Sequence, residues 1–368
     1  MVLAISFPLM LRRLGHFKVN CLEAQCRKPI TSLLTPIAAS FRQHRFSGMA
    51  PPVTPLPSSA ELLDSSQKIE EERFPNYVAE RYYPVRLGGI FDSRYQVITK
   101  LGFGAASTIW LCRDIQEQRY LTLKVHVRSR KPCPEVELAA YLNKIEDIHG
   151  GEKYVRRVVR SSSITGPHGV HPCLLYEPTG IDISNFIHQL DGGALPETML
   201  RMTARFMLIA LDYLHQLDII HTDIQPNNIL APEVILDMEW DNKIDIWGLA
   251  QTIWTLFECG HLFDNSDPAG ELDPNRRFAE MVSLLGPPPP EFLRRSKASL
   301  KYWDEDGNWK SSFPIPTQTL ESREVQLEGK NKELFLHFMR KMLCWLPEER
   351  ATASQLLFED EWVRGGEC

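Results

Sequence analysis

The sequence predicts an α+β chain of two units, a small strand-rich one followed by a larger helical one. Three observations carry this. Between Tyr95 and Tyr176 short apolar runs rich in β-branched and aromatic residues alternate with turns, as strands do. After residue 196 apolar residues recur at Met199, Leu200, Thr203, Phe206, Met207, Ala210, Leu211 and Leu214, close to a helical period. At 368 residues the chain is long enough to bury two cores.

Residues 1–60 hold seven basic residues, from Arg12 to Arg45, and a single acid, Glu23. That composition reads as a mitochondrial transit segment, or as a disordered tail ahead of a start at Met49. Ala50 to Ser59 is proline-rich and reads as a linker, and residues 61–94 as a lead-in, charged and helix-like as far as Arg73. Tyr95 to Leu111 predicts a strand–turn–strand hairpin in which Gly102 and Gly104 let backbone lie close to a ligand. A third strand, Tyr120–Val127, carries Lys124 within an apolar run. The helix-like Pro134–Ile145 offers it a carboxylate, Glu137, with Glu135 as the second candidate. Tyr154–Val159 and His171–Tyr176 read as further strands, the second running into Glu177-Pro178-Thr179-Gly180. Helices are predicted over Pro196–Gln216, Asp241–Phe257, Glu333–Leu343 and Thr352–Phe358, with polar loops over 300–330.

A net charge of −6 gives no reason to expect direct nucleic-acid binding. Eight scattered cysteines without a C-x-x-C pair read as reduced thiols of an intracellular protein. No apolar run approaches the ~18 residues of a membrane span.

The chemistry concentrates in His221-Thr222-Asp223-Ile224-Gln225-Pro226-Asn227-Asn228. An aspartate five residues before an asparagine suits a loop in which a carboxylate takes a hydroxyl proton while an amide oxygen ligates a cation.

Together these motifs resemble the protein kinases over residues 74–364, and most of all the SR-protein kinases (SRPK family) of fungal type. Leu101-Gly-Phe-Gly-Ala-Ala-Ser107-Thr-Ile-Trp-Leu111 resembles that family's glycine loop, with Ser107 where other kinases have a third glycine. His221-Thr-Asp-Ile resembles its catalytic loop; most kinases have arginine at the position of Thr222, which implies no dependence on activation-loop phosphorylation. The resemblance implies the two-lobed protein-kinase fold, with a β-rich N-lobe over 95–178 and an α-helical C-lobe over 179–364. It implies ATP and Mg²⁺ as cofactors, and transfer of the γ-phosphate to serine or threonine of proteins, among them Arg/Ser-rich splicing-type proteins, in cytoplasm or nucleus. Leu101, Gly102, Gly104 and Ser107 would line the nucleotide, and Lys124 paired with Glu137 would hold its phosphates. The Glu177 carbonyl and the Thr179 amide would contact adenine, with Tyr176 behind it. Asp223 would orient and deprotonate the hydroxyl, Gln225 would stand where a lysine usually touches the moving phosphate, and Asn228 would ligate magnesium. Glu233 and Arg350 would form a structural ion pair, and Asp245 would brace the catalytic loop. The Ala231-Pro-Glu motif, Asp245-Ile-Trp and Arg350 argue against a small-molecule phosphotransferase, which shares the aspartate–asparagine loop.

One departure is large. Only Ile229 and Leu230 separate Asn228 from Ala231-Pro-Glu, where a kinase places roughly 30 residues including Asp-Phe-Gly. No Asp-Phe-Gly occurs in the sequence. Intact flanks around an abrupt join argue for loss of one block, such as a skipped exon or a misplaced intron. The chain as it stands is then expected to transfer phosphate poorly; the alternative is a pseudokinase or scaffold. Three Cα–Cα links reach at most ~11 Å, which predicts irregular backbone over 228–233 and either Asn228 or Glu233 drawn from its place.

Overall fold

The computed structural model describes residues 64, 67–129, 131–145, 149–180, 182–190, 192–224, 231–258, 260–263 and 273–365. The transit-like segment, the linker, Gln225 and Asn228 lie outside them. The described residues divide into two compact units: one takes those of 64–145 and 156–180, the other those of 149–155 and 182–365.

The first unit is a six-stranded antiparallel sheet of order β1-β2-β3-β4-β6-β5: β1 Ile90–Phe91, β2 Tyr95–Gly104, β3 Ser107–Asp114, β4 Arg119–His126, β5 Val158–Gly166 and β6 Gly169–Tyr176. Val97, Cys112, Leu121, Leu123, Val125, Cys173 and Leu175 are almost wholly buried in its core, together with Trp110. Burial pushes the Cys112 and Cys173 thiols up to about 12, so neither forms a thiolate at neutral pH. A short helix, α1 (Pro134–Leu142), follows β4. The predicted hairpin is present, and it carries a bulge: Lys100 pairs with Trp110 and Gly102 with Ile109, which leaves Leu101 as the extra residue. The described part of the lead-in carries two 3-10 turns, Glu70–Arg73 and Ala79–Arg81.

The predicted strand from Tyr154 begins later. Gly150–Tyr154 is a 3-10 turn of the helical unit, where the Tyr154 ring stacks on Phe206 at 4.9 Å. Aromatic packing there outweighs the β-propensity of the run.

The helical unit is built on α2 (Ile183–Ile187), α3 (Glu197–Gln216), α4 (Pro232–Ile235) and α5 (Lys243–Glu258). After these come α6 (Pro274–Leu285), α7 (Pro290–Leu293), α8 (Leu320–Arg323), α9 (Gly329–Met342), α10 (Ala353–Glu359) and α11 (Glu361–Arg364). Of the face of α3 predicted from its period, Met199, Leu200, Thr203, Met207, Ala210, Leu211 and Leu214 are buried and Phe206 only partly; Ala204 and Leu208, not predicted, are fully enclosed beside them. Helix α5 is buried almost throughout and is the axis of the unit, with Trp247, Ile253 and Trp254 in its core. Residues 300–330 are less loose than their polarity predicts, because Trp303 pairs with Trp309 in a β-bridge and packs on Phe278 and Trp345. No helix among the described residues is long and apolar enough to cross a membrane.

At the end of α5, burial and then the neighbouring Glu324 carboxylate push the Glu258 carboxyl up to about 7. Glu324 itself accepts the N–H groups of Gln326 and Leu327 at 2.8 and 2.7 Å and pairs with Lys332 at 3.2 Å. A raised carboxyl pKa means that the folded chain holds a proton which the unfolded chain releases. The resulting stability is full below the ordinary glutamate range and is lost as pH rises through about 7. The urea midpoint of the helical unit should therefore fall between about pH 5 and pH 8, and Glu258→Gln should flatten that part of the profile. An unchanged slope in the variant would assign the effect to other groups.

Candidate active site

In the sheet unit the candidate site is the β2–β3 loop with the lysine of β4. A Cβ added at Gly102 would meet nothing within 4 Å, and at Gly104 only the Ser107 carbonyl at 4.0 Å. Neither glycine has a positive φ. Backbone conformation and internal packing therefore do not require glycine there, and open space for a close-lying ligand is what its presence provides. Leu101 is half exposed and Ser107 buried at the start of β3.

Lys124 Nζ pairs with Glu135 Oε2 at 2.6 Å, both side chains largely buried. This corrects the expected pairing with Glu137. Helix α1 begins at Pro134, and at 100° per residue Glu137 lies some 200° round from Glu135. Glu135 shares its stripe with the buried Ala139 and Leu142, at i, i+4 and i+7, while Glu137 is exposed. Glu135 is also the acceptor for the Tyr176 hydroxyl and lies 3.4 Å from His126 Nε2. Burial and then the bond to Glu135 hold the Tyr176 hydroxyl protonated far above its usual range. Burial, and next the Lys124 charge, lower the His126 pKa, so this imidazole is neutral at pH 7. Lys124 is therefore the charged partner bonded to this carboxylate, while Arg156 acts on it through space.

The Glu177 carbonyl accepts from Arg156 at 3.0 Å, and the Arg156 guanidinium lies 4.5 Å over the Tyr176 ring. One lone pair of that carbonyl is therefore engaged within the protein, while Thr179 makes no bond among the described residues. The Glu177 side chain turns to Arg119 at 2.6 Å.

In the helical unit, α5 shapes the backbone of the catalytic stretch from three successive turns. Asp245 accepts the His221 N–H at 2.7 Å and the Thr222 N–H at 2.8 Å, and His215 Nε2 lies 2.9 Å from the same carboxylate. A Cβ at Gly248 would stand 2.5 Å from the Ile224 carbonyl oxygen, so only glycine allows this approach. The Thr252 hydroxyl lies 3.2 Å from that oxygen. Thr222 takes φ 65°, a costly conformation for a β-branched residue, and the two charge-assisted bonds to Asp245 hold the loop in it. The Asp223 N–H lies 3.3 Å from His221 Nδ1, and its half-exposed carboxylate has no donor among the described residues. A carboxylate so displayed is free to accept a proton from a bound hydroxyl. The sequence singled out Asp245; His215, Gly248 and Thr252 were missed, although the i+3, i+7 spacing of the last two from Asp245 was a usable signal.

Beyond the join, Ala231 is extended and Pro232–Ile235 is a regular turn of helix. Glu233 and Arg350 form a two-pronged pair at 2.6 and 2.8 Å, both nearly devoid of solvent exposure. Of the two displacements left open, Asn228 or Glu233, that of Glu233 does not occur; and over 231–233, the described part of 228–233, the backbone is regular where irregularity was expected. A buried charge pair is costly to break, so it fixes this side of the join. Asn228 and the rest of the join lie outside the described residues.

Of the groups that would hold Mg²⁺–ATP, Lys124 and open space at the glycine loop are present and fit a phosphate chain. The second metal carboxylate has no counterpart in the sequence.

Comparison with known proteins agrees with these features. Residues 95–231 match the family described as protein kinase domain. A serine/threonine protein kinase of Aspergillus fumigatus is 39% identical over 376 residues, covering 85% of this chain and 95% of that protein. The serine/threonine-protein kinase SRPK of Physarum polycephalum is 25% identical over 81% of this chain and 92% of its own length. SRSF protein kinase 3 of Sus scrofa is 36% identical over half of this chain and 33% of its own length. The chain belongs to the SRPK family of serine/threonine protein kinases.

Proposed function

We propose that the chain binds ATP through the glycine loop and Lys124, presents Asp223 to a serine hydroxyl of Arg/Ser-rich proteins, and in its present form transfers phosphate poorly. The observation that carries the binding half is the buried Lys124–Glu135 pair: a lysine held in place by a carboxylate beside open backbone can neutralise phosphate charge. The observation behind Asp223 as proton acceptor is its half-exposed carboxylate, without a donor among the described residues, on a loop braced by Asp245. Magnesium, when bound, neutralises the β- and γ-phosphate oxygens. Among this chain's residues Asn228 would be its ligand. The substrate class follows the name of the SRSF relative, and a cytoplasmic or nuclear location follows from the resemblance to the family.

The join of two residues between Asn228 and Ala231 favours a second reading, a pseudokinase that binds nucleotide weakly. Titration of a fluorescent ATP analogue with and without Mg²⁺, beside phosphorylation of an Arg/Ser repeat peptide, separates the two. Binding that gains little from Mg²⁺, with only slow transfer that Asp223→Asn abolishes, is expected; binding with no transfer at all supports the second reading. Failure to bind nucleotide overturns the first. Transcript sequencing across codons 228–233 tests whether a longer product carries Asp-Phe-Gly.

The identity of the lysine partner has its own test. Glu135→Gln should weaken binding of the ATP analogue by roughly three- to tenfold, since Lys124 loses its charged anchor. Glu137→Gln, at an exposed position, should leave binding unchanged. The reverse order of effects would restore the sequence-based pairing.

A further inference from the structure

The chain that leads into the sheet is fastened along the hairpin of the glycine loop. Lys100 Nζ bonds Glu71 at 2.6 Å and also Glu70, and lies 5.5 Å over each of the Phe103 and Trp110 rings. Phe74 meets Phe103 edge-on at 5.9 Å. Tyr77 packs on Tyr82 at 5.1 Å. The Tyr82 hydroxyl lies 3.2 Å from the Gly104 carbonyl oxygen and 3.1 Å from that of Ala105, as donor to both. The next carbonyl along the loop, that of Ala106, accepts the Val127 N–H at 2.9 Å, and Arg81 next to Tyr82 accepts the Arg128 N–H at 2.8 Å. Three consecutive carbonyls at the loop tip are therefore held from the protein side.

In a planar trans peptide the C=O and the N–H point in opposite directions. A hydroxyl that draws the Gly104 and Ala105 carbonyls to itself turns the N–H groups of Ala105 and Ala106 away from it. Successive N–H groups turned to one side form an anion-binding concavity. The open space at Gly102 leaves the loop accessible to such an anion.

We propose that Tyr82 is a positioning residue for the nucleotide's phosphates: its hydroxyl fixes the two peptide planes at the tip of the β2–β3 loop so that the Ala105 and Ala106 N–H groups meet them. This rests on reading the loop as a phosphate site. The residue acts through the loop backbone and touches no reacting atom.

The test is Tyr82→Phe in the full chain, which keeps the ring against Tyr77 and removes only the donor. Binding of N-methylanthraniloyl-ATP should weaken about fivefold, the loss of one hydrogen bond's worth of ordering, while calorimetric binding of adenosine stays unchanged. A merely structural role would move both. Amide exchange at residues 104–106 of the ligand-free variant should quicken while the β4–β6 ladder keeps its protection. If the unsubstituted chain binds N-methylanthraniloyl-ATP and the variant binds it equally well, or if exchange at the tip is unaltered, the proposal is overturned alone. If the unsubstituted chain does not bind the nucleotide, the phosphate-site reading falls, and this proposal with it.

Discussion

Insertion of a segment of roughly 30 residues carrying Asp-Phe-Gly between Leu230 and Ala231 should raise phosphotransfer to an Arg/Ser repeat peptide by ~10³–10⁵, the range that single charge-stabilising groups supply in phosphoryl transfer. The expectation follows from what the chain has and lacks. Phosphoryl transfer needs little covalent work from the protein and depends on positioning and on neutralising charge. Lys124 with Glu135 supplies one positive charge, and Gln225 supplies none where a lysine usually stands. On the proposed reading magnesium would carry most of the neutralisation, and of its two usual protein ligands the sequence would supply one, Asn228. Asp223→Asn in the extended chain should abolish the gain, which excludes a contaminating kinase. If the chain without the insertion already turns over at the rate of the extended one, the argument from the missing metal carboxylate is wrong.

Much of this was legible in the sequence because its signals are local. The β2–β3 hairpin, the amphipathic face of α3 and the loop around Asp223 each lie within a short window and depend on spacing alone. The lysine partner was not legible in the same way. Both carboxylates lie in the helix predicted from Pro134, and which of them meets Lys124 depends on which face of α1 is buried, the one that carries Glu135. A heptad-like check of the stripe through Ala139 and Leu142 reaches the same answer. The catalytic loop shows the opposite balance. Asp245 was named correctly, yet the φ of Thr222 and the close approach of Gly248 exist only once α5 lies against the Ile224 backbone. The Tyr82 contact spans more than 20 residues and joins a segment of weak propensity to a loop, so no periodicity announces it. Of the two displacements that the short join left open, that of Glu233 does not occur, for a physical reason. Chain length limits how far two residues can part, but it does not say which end yields, and a buried two-pronged ion pair is a poor candidate for yielding.

That pair should give the largest stability effect in the molecule. Glu233→Ala is expected to destabilise the helical unit by about 3–5 kcal/mol, a third or more of the ~5–15 kcal/mol typical of a domain. Arg350 is fully enclosed, and Glu233 provides both of its charged contacts, at 2.6 and 2.8 Å. Its remaining bonds go to neutral carbonyls, those of Cys344 at 2.9 Å, Lys243 at 3.2 Å and Trp345 at 3.4 Å, and its guanidinium lies 4.9 Å over the Trp247 ring. Removing Glu233 leaves that charge in a low-dielectric interior with dipoles alone to hold it, whereas replacing both partners with apolar residues of similar volume removes the charge and the requirement together. The double variant Glu233→Leu with Arg350→Met should accordingly recover much of the lost stability. Urea unfolding followed by tryptophan fluorescence suits the measurement, because Trp247, Trp254, Trp303, Trp345 and Trp362 all lie buried in the helical unit. A single variant that loses less than about 1 kcal/mol, the upper end for an exposed pair, would mean that water reaches Arg350 in solution.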